Sequence, residues 1–176
     1  MTAVLSVQGD FAEHEAALHA LGEPTFELRQ KNDLERPFDR LVLPGGESTV
    51  QRKLVTDLGM YEPLRERIGF DIPVFATCAG LILLADYFKT LPVTVRRNAY
   101  GRQTGSFYTE GNFKGIGPIP MTFIRAPFVE QVQDGVVVKS VTDGHITGVQ
   151  YRRQLGISFH PEMNGDSKLY AYFLAL

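Results

Sequence analysis

The single cysteine of the chain lies where an apolar run changes from strand-like to helix-like. Cys78 follows Val74–Thr77, which has the pattern of a short buried strand, and precedes Ala79-Gly80 at the start of an apolar helical run. Small residues beside a strand-to-helix bend let the central side chain project from the backbone, as in a nucleophile elbow. A helix N-terminus also favours thiolate. Cys78 is therefore a candidate nucleophile, and this segment alone is equally compatible with a buried structural cysteine.

Of the four histidines, His160 is the best placed to act as a base for such a thiol. It follows the apolar run 155–159, and one proline separates it from Glu162. A carboxylate at that spacing can accept a hydrogen bond from one ring nitrogen while the other nitrogen faces the thiol, which is the arrangement of a catalytic triad. An ordinary His-Pro-Glu turn is the alternative. The remaining histidines are expected to be exposed to solvent: His14, His19 and His145.

Paired glycines follow another apolar run, in the segment Leu41–Ser48. Glycine at a strand end lets backbone N–H groups approach a ligand without a side chain in the way. The N–H groups of Gly46 and Ala79 are therefore candidates for an oxyanion hole. A plain strand-to-helix turn capped by Ser48 is the alternative. The segment lacks the Gly-Lys-Ser/Thr element of a phosphate loop.

Length and composition indicate one globular domain over residues 1–176. Hydrophobic residues make up 44% and charged residues 22% of the chain, enough to fill a sizeable core without disorder. A net charge of −2 makes nucleic acids and anionic membranes poor candidates as partners. No apolar run reaches the ~18 residues of a membrane span, and the first residues do not read as a secretory signal. One cysteine and scattered histidines give no metal-ligand spacing, and we expect a cytoplasmic protein.

The elements that must position these residues alternate in the first half of the chain. Strands are predicted over 3–8, 25–28, 40–43 and 74–77, and helices over 11–20, 49–58, 62–68 and 79–88. This rhythm predicts a parallel sheet covered on both faces. Further strands at 93–96, 121–124, 136–141, 145–150 and 155–158 predict hairpins, and a helix at 168–176 closes the chain. All the candidate segments follow predicted strands, at the edge where open α/β sheets bind ligands.

Taken together, these segments resemble the class I (triad-type) glutamine amidotransferases, and within them the glutaminase subunit (PdxT type) of pyridoxal 5′-phosphate synthase. The matching segments run nearly from end to end: Val7–Gly9, Glu13-His14, Leu43–Thr49, Thr77–Ala85, Arg97–Gln103, Phe123–Pro127 and Ser158–Glu162. The segments around Cys78 and His160 are common to all triad amidotransferases. Those around Arg102 and Arg125 are specific to this branch.

The resemblance implies a flavodoxin-like, three-layer α/β fold, in which helices flank a mixed, mostly parallel central sheet. It implies that the chain hydrolyses L-glutamine to L-glutamate and ammonia through a γ-glutamyl thioester, with Cys78 as nucleophile and His160 and Glu162 completing the triad. By matched position, glutamine would be bound by Gly46, Glu47, Ser48, Arg102, Ile124 and Arg125. The family needs no metal or cofactor. Its partner is a (β/α)₈-barrel synthase that receives the ammonia within a hetero-oligomer.

Two alternatives stay open at this point. The same triad could serve a different amidotransferase, or the chain could be a non-catalytic regulatory subunit. Two departures from the family pattern are visible in the sequence. Ala76 stands where glycine is usual, and the connection over 85–92 is shorter than usual.

Overall fold

The computed structural model describes residues 1–97 and 105–176, whose strands and helices have the following bounds. The strands are β1 (Thr2–Leu5), β2 (Thr25–Leu28), β3 (Arg40–Leu43), β4 (Val74–Thr77), β5 (Val93–Arg96), β6 (Ser106–Phe113), β7 (Gly117–Ile124), β8 (Phe128–Val132), β9 (Val137–Thr142), β10 (His145–Tyr151) and β11 (Gln154–Ile157). The helices are α1 (Phe11–Ala20), α2 (Ser48–Asp57), α3 (Tyr61–Gly69), α4 (Ala79–Ile82) and α5 (Lys168–Leu174). Within these described ranges, no helix is both long enough and apolar enough to cross a lipid bilayer.

Nine of the described strands form one sheet in the order β2-β1-β3-β4-β11-β10-β8-β5, with β9 paired to β10. Neighbours from β2 to β11 run parallel, whereas the pairs beyond β11 are antiparallel. Strands β6 and β7 form a separate antiparallel hairpin. The predicted mixed α/β sheet is confirmed. Sequence periodicity missed β6 and β8, because much of each strand faces solvent and lacks an apolar run.

Alternate residues of the central strands pack on opposite faces of the sheet. In β4, Val74 and Ala76 belong to the core cluster that contains side chains of α2, α3 and α4. Phe75 belongs to a second cluster, formed with α1, α5 and the β6–β7 hairpin. Strands β1, β4 and β11 are buried along their whole length, as parallel strands covered on both faces must be. The core therefore lies in two layers with the sheet between them.

Two predicted features at helix starts and ends are wrong. The helix predicted over 79–88 ends at Ile82 and continues as a π-helical turn, Leu83–Tyr87, in which Phe88 N–H donates to Leu83 O at 2.8 Å. This wider turn accompanies the packing of two successive aromatic rings on Tyr61 of α3, which periodicity alone does not reveal.

Ser48 is the first residue of α2 and not its cap. Glu47 occupies the N-cap position, and no side chain of the cap residue accepts a helix N–H. Gln8, in a distant loop, instead holds the cap residue, because its Oε1 accepts the Glu47 N–H at 2.9 Å. The start of α2 is thus tied to the loop that follows β1. Strand β1 itself ends at Leu5, whereas the sequence predicted an end at residue 8.

Truncation of Phe173 should destabilise the fold strongly. Phe173 is fully buried on α5 and stacks on Phe75 with ring centroids 5.5 Å apart. We expect Phe173→Ala to lower the free energy of unfolding by about 3–5 kcal/mol, because it leaves a cavity between α5 and the sheet. The measurement is urea denaturation followed by circular dichroism. Phe70→Ala, at a side chain that is 74% exposed, is the matched control and should change stability little; equal losses in the two variants would contradict this account of the core.

Candidate active site

Cys78 occupies a strained bend between β4 and α4. Its φ of 46° and ψ of −101° lie in a region that non-glycine residues rarely adopt, at a cost of about 1–3 kcal/mol. The surrounding sheet enforces this conformation, since Cys78 N–H donates to Ile157 O of β11 at 2.9 Å. Gly80 lets α4 approach β3, because a Cβ there would lie 2.0 Å from Leu43 O. The thiol is therefore held at the C-terminal edge of the sheet, 8% exposed.

His160 reaches this thiol although it lies 82 residues further along the chain. Strand β11 pairs in parallel with β4, with Ile157 opposite Thr77, so the segments that follow the two strands leave the sheet side by side. The backbone N–H of His160 donates to Thr122 O of β7 at 2.8 Å, which fixes the ring from the other side. Cys78 and His160 line the same cavity, and the interaction with Cys78 is one of the causes that raise the pKa of His160.

Glu162 lies on the far side of the imidazole, on a 3-10 turn (Pro161–Met163). Its Oε1 is 2.6 Å from His160 Nδ1, and its side chain is only 1% exposed. In water-free surroundings a hydrogen bond to a charged group is strong. The structure thus brings Cys78 and His160 to one cavity, with Glu162 bonded to Nδ1 of the histidine.

Asp10 is a second carboxylate beside the imidazole, and sequence reasoning missed it. Its Oδ2 is 3.4 Å from His160 Nδ1. Burial lowers the pKa of His160, but the hydrogen bonds with Asp10, Cys78 and Glu162 outweigh this effect and raise the pKa to about 12. In return, the hydrogen bond with His160 lowers the pKa of Asp10. The imidazole therefore carries its proton at neutral pH. No pattern around Asp10 signals this contact, which depends on the loop after β1 folding over the sheet edge.

The glycine loop after β3 lies against the same histidine. A Cβ on Gly45 would lie 2.6 Å from His160 Cε1, so only glycine allows this approach. Gly45 O accepts hydrogen bonds from Asp10 N–H at 3.2 Å and from Gln51 Nε2 at 3.3 Å. In a trans peptide the N–H points opposite to the carbonyl. The Gly46 N–H is consequently directed away from Asp10 and Gln51. Ala79 is the first residue of α4, where a helix leaves N–H groups without internal acceptors.

A cavity of about 490 Å³ opens in front of these groups. It is large enough to hold an amino acid, and its lining contains side chains of both charges. The lining includes most of the residues that the resemblance associates with glutamine: Gly46, Glu47, Ser48, Ile124 and Arg125, together with Cys78, Ala79 and His160. Gln8, Asp10 and Arg97 also line it and were not predicted. Arg102, the remaining predicted residue, lies outside the described residues.

The expectation that His14 is exposed is wrong. His14 is fully buried, with Nε2 3.1 Å from Thr77 Oγ1 and Nδ1 2.9 Å from the Tyr170 hydroxyl. Helix α5, which returns from the far end of the chain, covers this face of α1. His145 is also only half-exposed, because its ring stacks on Phe128. The polar neighbours of His14 and His145 in the sequence indicated exposed side chains, whereas packing against distant segments determines how far each is buried.

The imidazole of His160 and the two carboxylates beside it could also hold a cation by type. One ligand atom from each of Asp10, His160 and Glu162 lies within 4.8 Å of the others. The same His160 Nδ1, however, already lies 2.6 Å from Glu162 Oε1, so a cation would have to displace that hydrogen bond. The arrangement is explained by hydrogen bonding among the three groups.

Replacement of Asp10 by asparagine should lower the pH at which His160 loses its proton. The pKa of His160 is raised above 6.5 partly by this carboxylate, so its removal weakens retention of the proton. We expect the titration to move down by about one pH unit, a modest change because Asp10 is partly exposed to water. NMR of the His160 ring between pH 7 and 12 measures it. Glu13→Gln, an exposed carboxylate on α1, is the control; an unchanged titration in the Asp10 variant would show that Glu162 alone retains the proton.

Comparison with known proteins gives one consistent family. A model of the SNO glutamine amidotransferase family matches residues 4–176. The curated protein "Pyridoxal 5′-phosphate synthase subunit PdxT" of Desulfitobacterium hafniense (strain Y51) is 55% identical over 179 residues, covering 97% of this chain and 90% of the relative. The protein of the same name from Streptococcus pneumoniae serotype 2 (strain D39 / NCTC 7466) is 46% identical over 182 residues, covering 97% of this chain and 94% of the relative.

Solved structures agree. A crystal structure described as a glutamine amidotransferase matches with a TM-score of 0.92 at 38% identity, over 99% of this chain and 97% of the other. PurLQS from Thermotoga maritima matches with a TM-score of 0.72 at 14% identity, over 99% of this chain and 96% of the other. This match is a likeness of fold alone. Because one family model spans the fold from its first strand to its last helix, the chain belongs to the SNO glutamine amidotransferase family.

Proposed function

We propose that this chain hydrolyses L-glutamine to L-glutamate and ammonia as the glutaminase subunit of a pyridoxal 5′-phosphate synthase. The observation that carries the proposal is the placement of Cys78 and His160 at one cavity, with Glu162 bonded to Nδ1 of the imidazole. Family membership and the names of the curated relatives support the same reaction and the same partner. The three residues form the catalytic triad of this proposal.

In the first half of the reaction, Cys78 forms a covalent bond with glutamine. The thiolate Sγ attacks the side-chain amide carbon, and the carbonyl oxygen becomes an oxyanion held by the N–H groups of Gly46 and Ala79. His160, which carries a proton at neutral pH, transfers it to the amide nitrogen. The C–N bond then breaks, ammonia leaves, and a γ-glutamyl thioester remains on Cys78.

In the second half, water releases the product. The neutral His160 left by the first step takes a proton from water as the oxygen attacks the thioester carbon. The C–S bond breaks, glutamate departs, and the thiolate and imidazolium are restored. Glu162 holds the Nδ1–H side of the ring throughout, so that Nε2 faces the reacting atoms.

Glutamine is recognised by charges at the open end of the cavity. The α-carboxylate pairs with a guanidinium fork, for which Arg125 and Arg102 are the assigned groups, and the α-ammonium pairs with Glu47. Gly46, Ser48 and Ile124 complete the binding site. Both Glu47 and Arg125 are exposed, which suits groups that hold the polar end of the substrate while its amide reaches inward to Cys78.

The partner in this proposal is a (β/α)₈-barrel synthase subunit in a hetero-oligomer. Ammonia released into water at neutral pH would gain a proton and lose its nucleophilicity, so direct transfer to the synthase is required. A chain with one cysteine forms no internal disulfide, which favours a reducing, cytoplasmic location for this complex.

Removal of the thiol tests the reaction. With the cognate synthase present, we expect Cys78→Ala to release glutamate at least about 1000-fold more slowly than the wild type, because the thioester cannot form.

A diazoketone analogue of glutamine should add once per wild-type chain, and the adduct should map to Cys78, the only cysteine. Excess glutamine should protect the thiol. A Cys78→Ala protein as fast as the wild type would end this mechanism, and co-purification with a different synthase would assign the glutaminase to another pathway.

Arg125→Gln tests recognition of the substrate. We expect the KM for glutamine to rise about 10- to 100-fold with a smaller change in kcat, because a charge-assisted hydrogen bond to the unreacting end of the substrate is lost. Steady-state kinetics of glutamate formation in the complex gives both constants. Arg152→Gln is a matched control, since Arg152 is also exposed with a positive φ but lies in the turn between β10 and β11. Equal KM values for the two variants would remove Arg125 from the binding site.

A further inference from the structure

The buried histidine of α1 contacts three different parts of the proposed active site. His14 is 0% exposed, although it lies in a helix whose neighbouring positions face water. Its Nε2 lies 3.1 Å from Thr77 Oγ1, one residue before the nucleophile, and 3.6 Å from Glu162 Oε2. Its Nδ1 lies 2.9 Å from the hydroxyl of Tyr170 on α5. A fully buried imidazole with only polar partners at its nitrogens has a specific hydrogen-bonding role.

His14 is neutral in this environment. Burial lowers its pKa and outweighs the attraction of Glu162, and the charged ring of His160 lowers the pKa further. Asp10 and Glu13 act in the opposite direction with smaller effect. A neutral imidazole has one nitrogen that donates and one that accepts. The role of His14 therefore depends on which nitrogen carries the hydrogen.

The neighbours of His14 select the tautomer. Burial and the charge of Glu162 raise the pKa of Tyr170, so its hydroxyl keeps its proton and can donate it to Nδ1. The hydrogen of the ring then lies on Nε2, where Thr77 Oγ1 can accept it at 3.1 Å and Glu162 Oε2 lies 3.6 Å away on the same side. In the opposite tautomer, the lone pair of Nε2 would face a carboxylate 3.6 Å away, and two acceptors would repel each other.

Glu162 needs this donor. Its Oε1 is bonded to His160, but among the described residues its buried Oε2 has no partner within ordinary hydrogen-bond distance. A buried carboxylate oxygen without a donor is unfavourable, and the carboxylate is then free to rotate. The N–H dipole of His14 Nε2, 3.6 Å from Oε2, opposes this rotation.

We propose that His14 is a positioning residue for the glutaminase reaction: its Nε2–H, set by the Tyr170 hydroxyl at Nδ1, holds Glu162 against His160. The proposal rests on the proposed function only in assigning catalytic roles to Glu162 and His160. His14 does not line the cavity and does not contact glutamine. Through Tyr170, the C-terminal helix α5 becomes part of the support of the active site.

The experiment compares His14→Leu with His14→Gln in the complete synthase complex. Leucine removes the donor, whereas the glutamine amide places an N–H close to the original Nε2. We expect His14→Leu to lower kcat about 10- to 100-fold with KM for glutamine nearly unchanged, and His14→Gln to recover most of the loss. His19→Leu, at an exposed histidine on the same helix, is the matched control. A wild-type kcat in His14→Leu, or equal losses in the leucine and glutamine variants, would overturn the proposal.

A second readout needs no glutamine. Iodoacetamide alkylation of Cys78 at neutral pH reports the reactivity of the thiol beside the imidazolium, and in His14→Leu the alkylation rate should fall several-fold, because a displaced Glu162 supports the imidazolium less well. His14→Gln should stay near the wild type. If wild-type protein alkylates normally but releases no glutamate, the proposed function fails, while the alkylation profiles still decide the role of His14.

Tyr170→Phe covers the case in which His14→Leu does not fold. It keeps the buried ring and removes only the hydroxyl that sets the tautomer, so kcat should fall several-fold. In the His14→Gln background, which has no ring tautomer to set, the same change should have little further effect. Equal effects of Tyr170→Phe in both backgrounds would contradict the proposed chain of hydrogen bonds.

Discussion

A buried negative charge, the carboxylate of Glu162, is the constraint on which the arrangement of this region depends. Its side chain is 1% exposed, and an ionised group so far from water must be paired and hydrogen-bonded. The 2.6 Å contact with His160 Nδ1 provides the pairing on one oxygen. The other oxygen faces His14, a neutral imidazole that helix α5 keeps buried. Elements from both ends of the chain therefore meet around one carboxylate.

Three adjacent parallel strands turn this local pairing into a site. Strands β3, β4 and β11 are neighbours in the sheet, and each ends in a segment that contributes to the cavity. The glycine loop follows β3, Cys78 follows β4, and His160 is the third residue after β11. Parallel strands end at the same edge of a sheet, so groups far apart in the chain converge there without any long excursion. The separate hairpin β6–β7 holds the backbone of His160 from the other side, through Thr122 O.

The charge balance around the imidazole explains why it retains its proton. Two carboxylates, Glu162 and Asp10, approach the same Nδ1, and the thiol of Cys78 lines the same cavity as the ring. An imidazolium beside a thiol stabilises the thiolate, which is the nucleophilic form of cysteine. His14 is buried next to these groups but stays neutral, because a second positive charge in this interior would be unfavourable. The two histidines therefore differ in charge although they share one carboxylate as a neighbour.

The amino-acid sequence by itself determined the α/β class, the positions of most strands, and the candidates Cys78, His160 and Glu162. Apolar runs and the small residues at a bend are local signals, and they remain readable without a structure. Only the tertiary structure decided that His14 is buried, that Asp10 faces His160, and that the helix after Cys78 changes to a π turn. Each of these depends on packing between segments far apart in the chain. A periodic pattern reports which side of an element is apolar, but it does not report which distant element will cover that side.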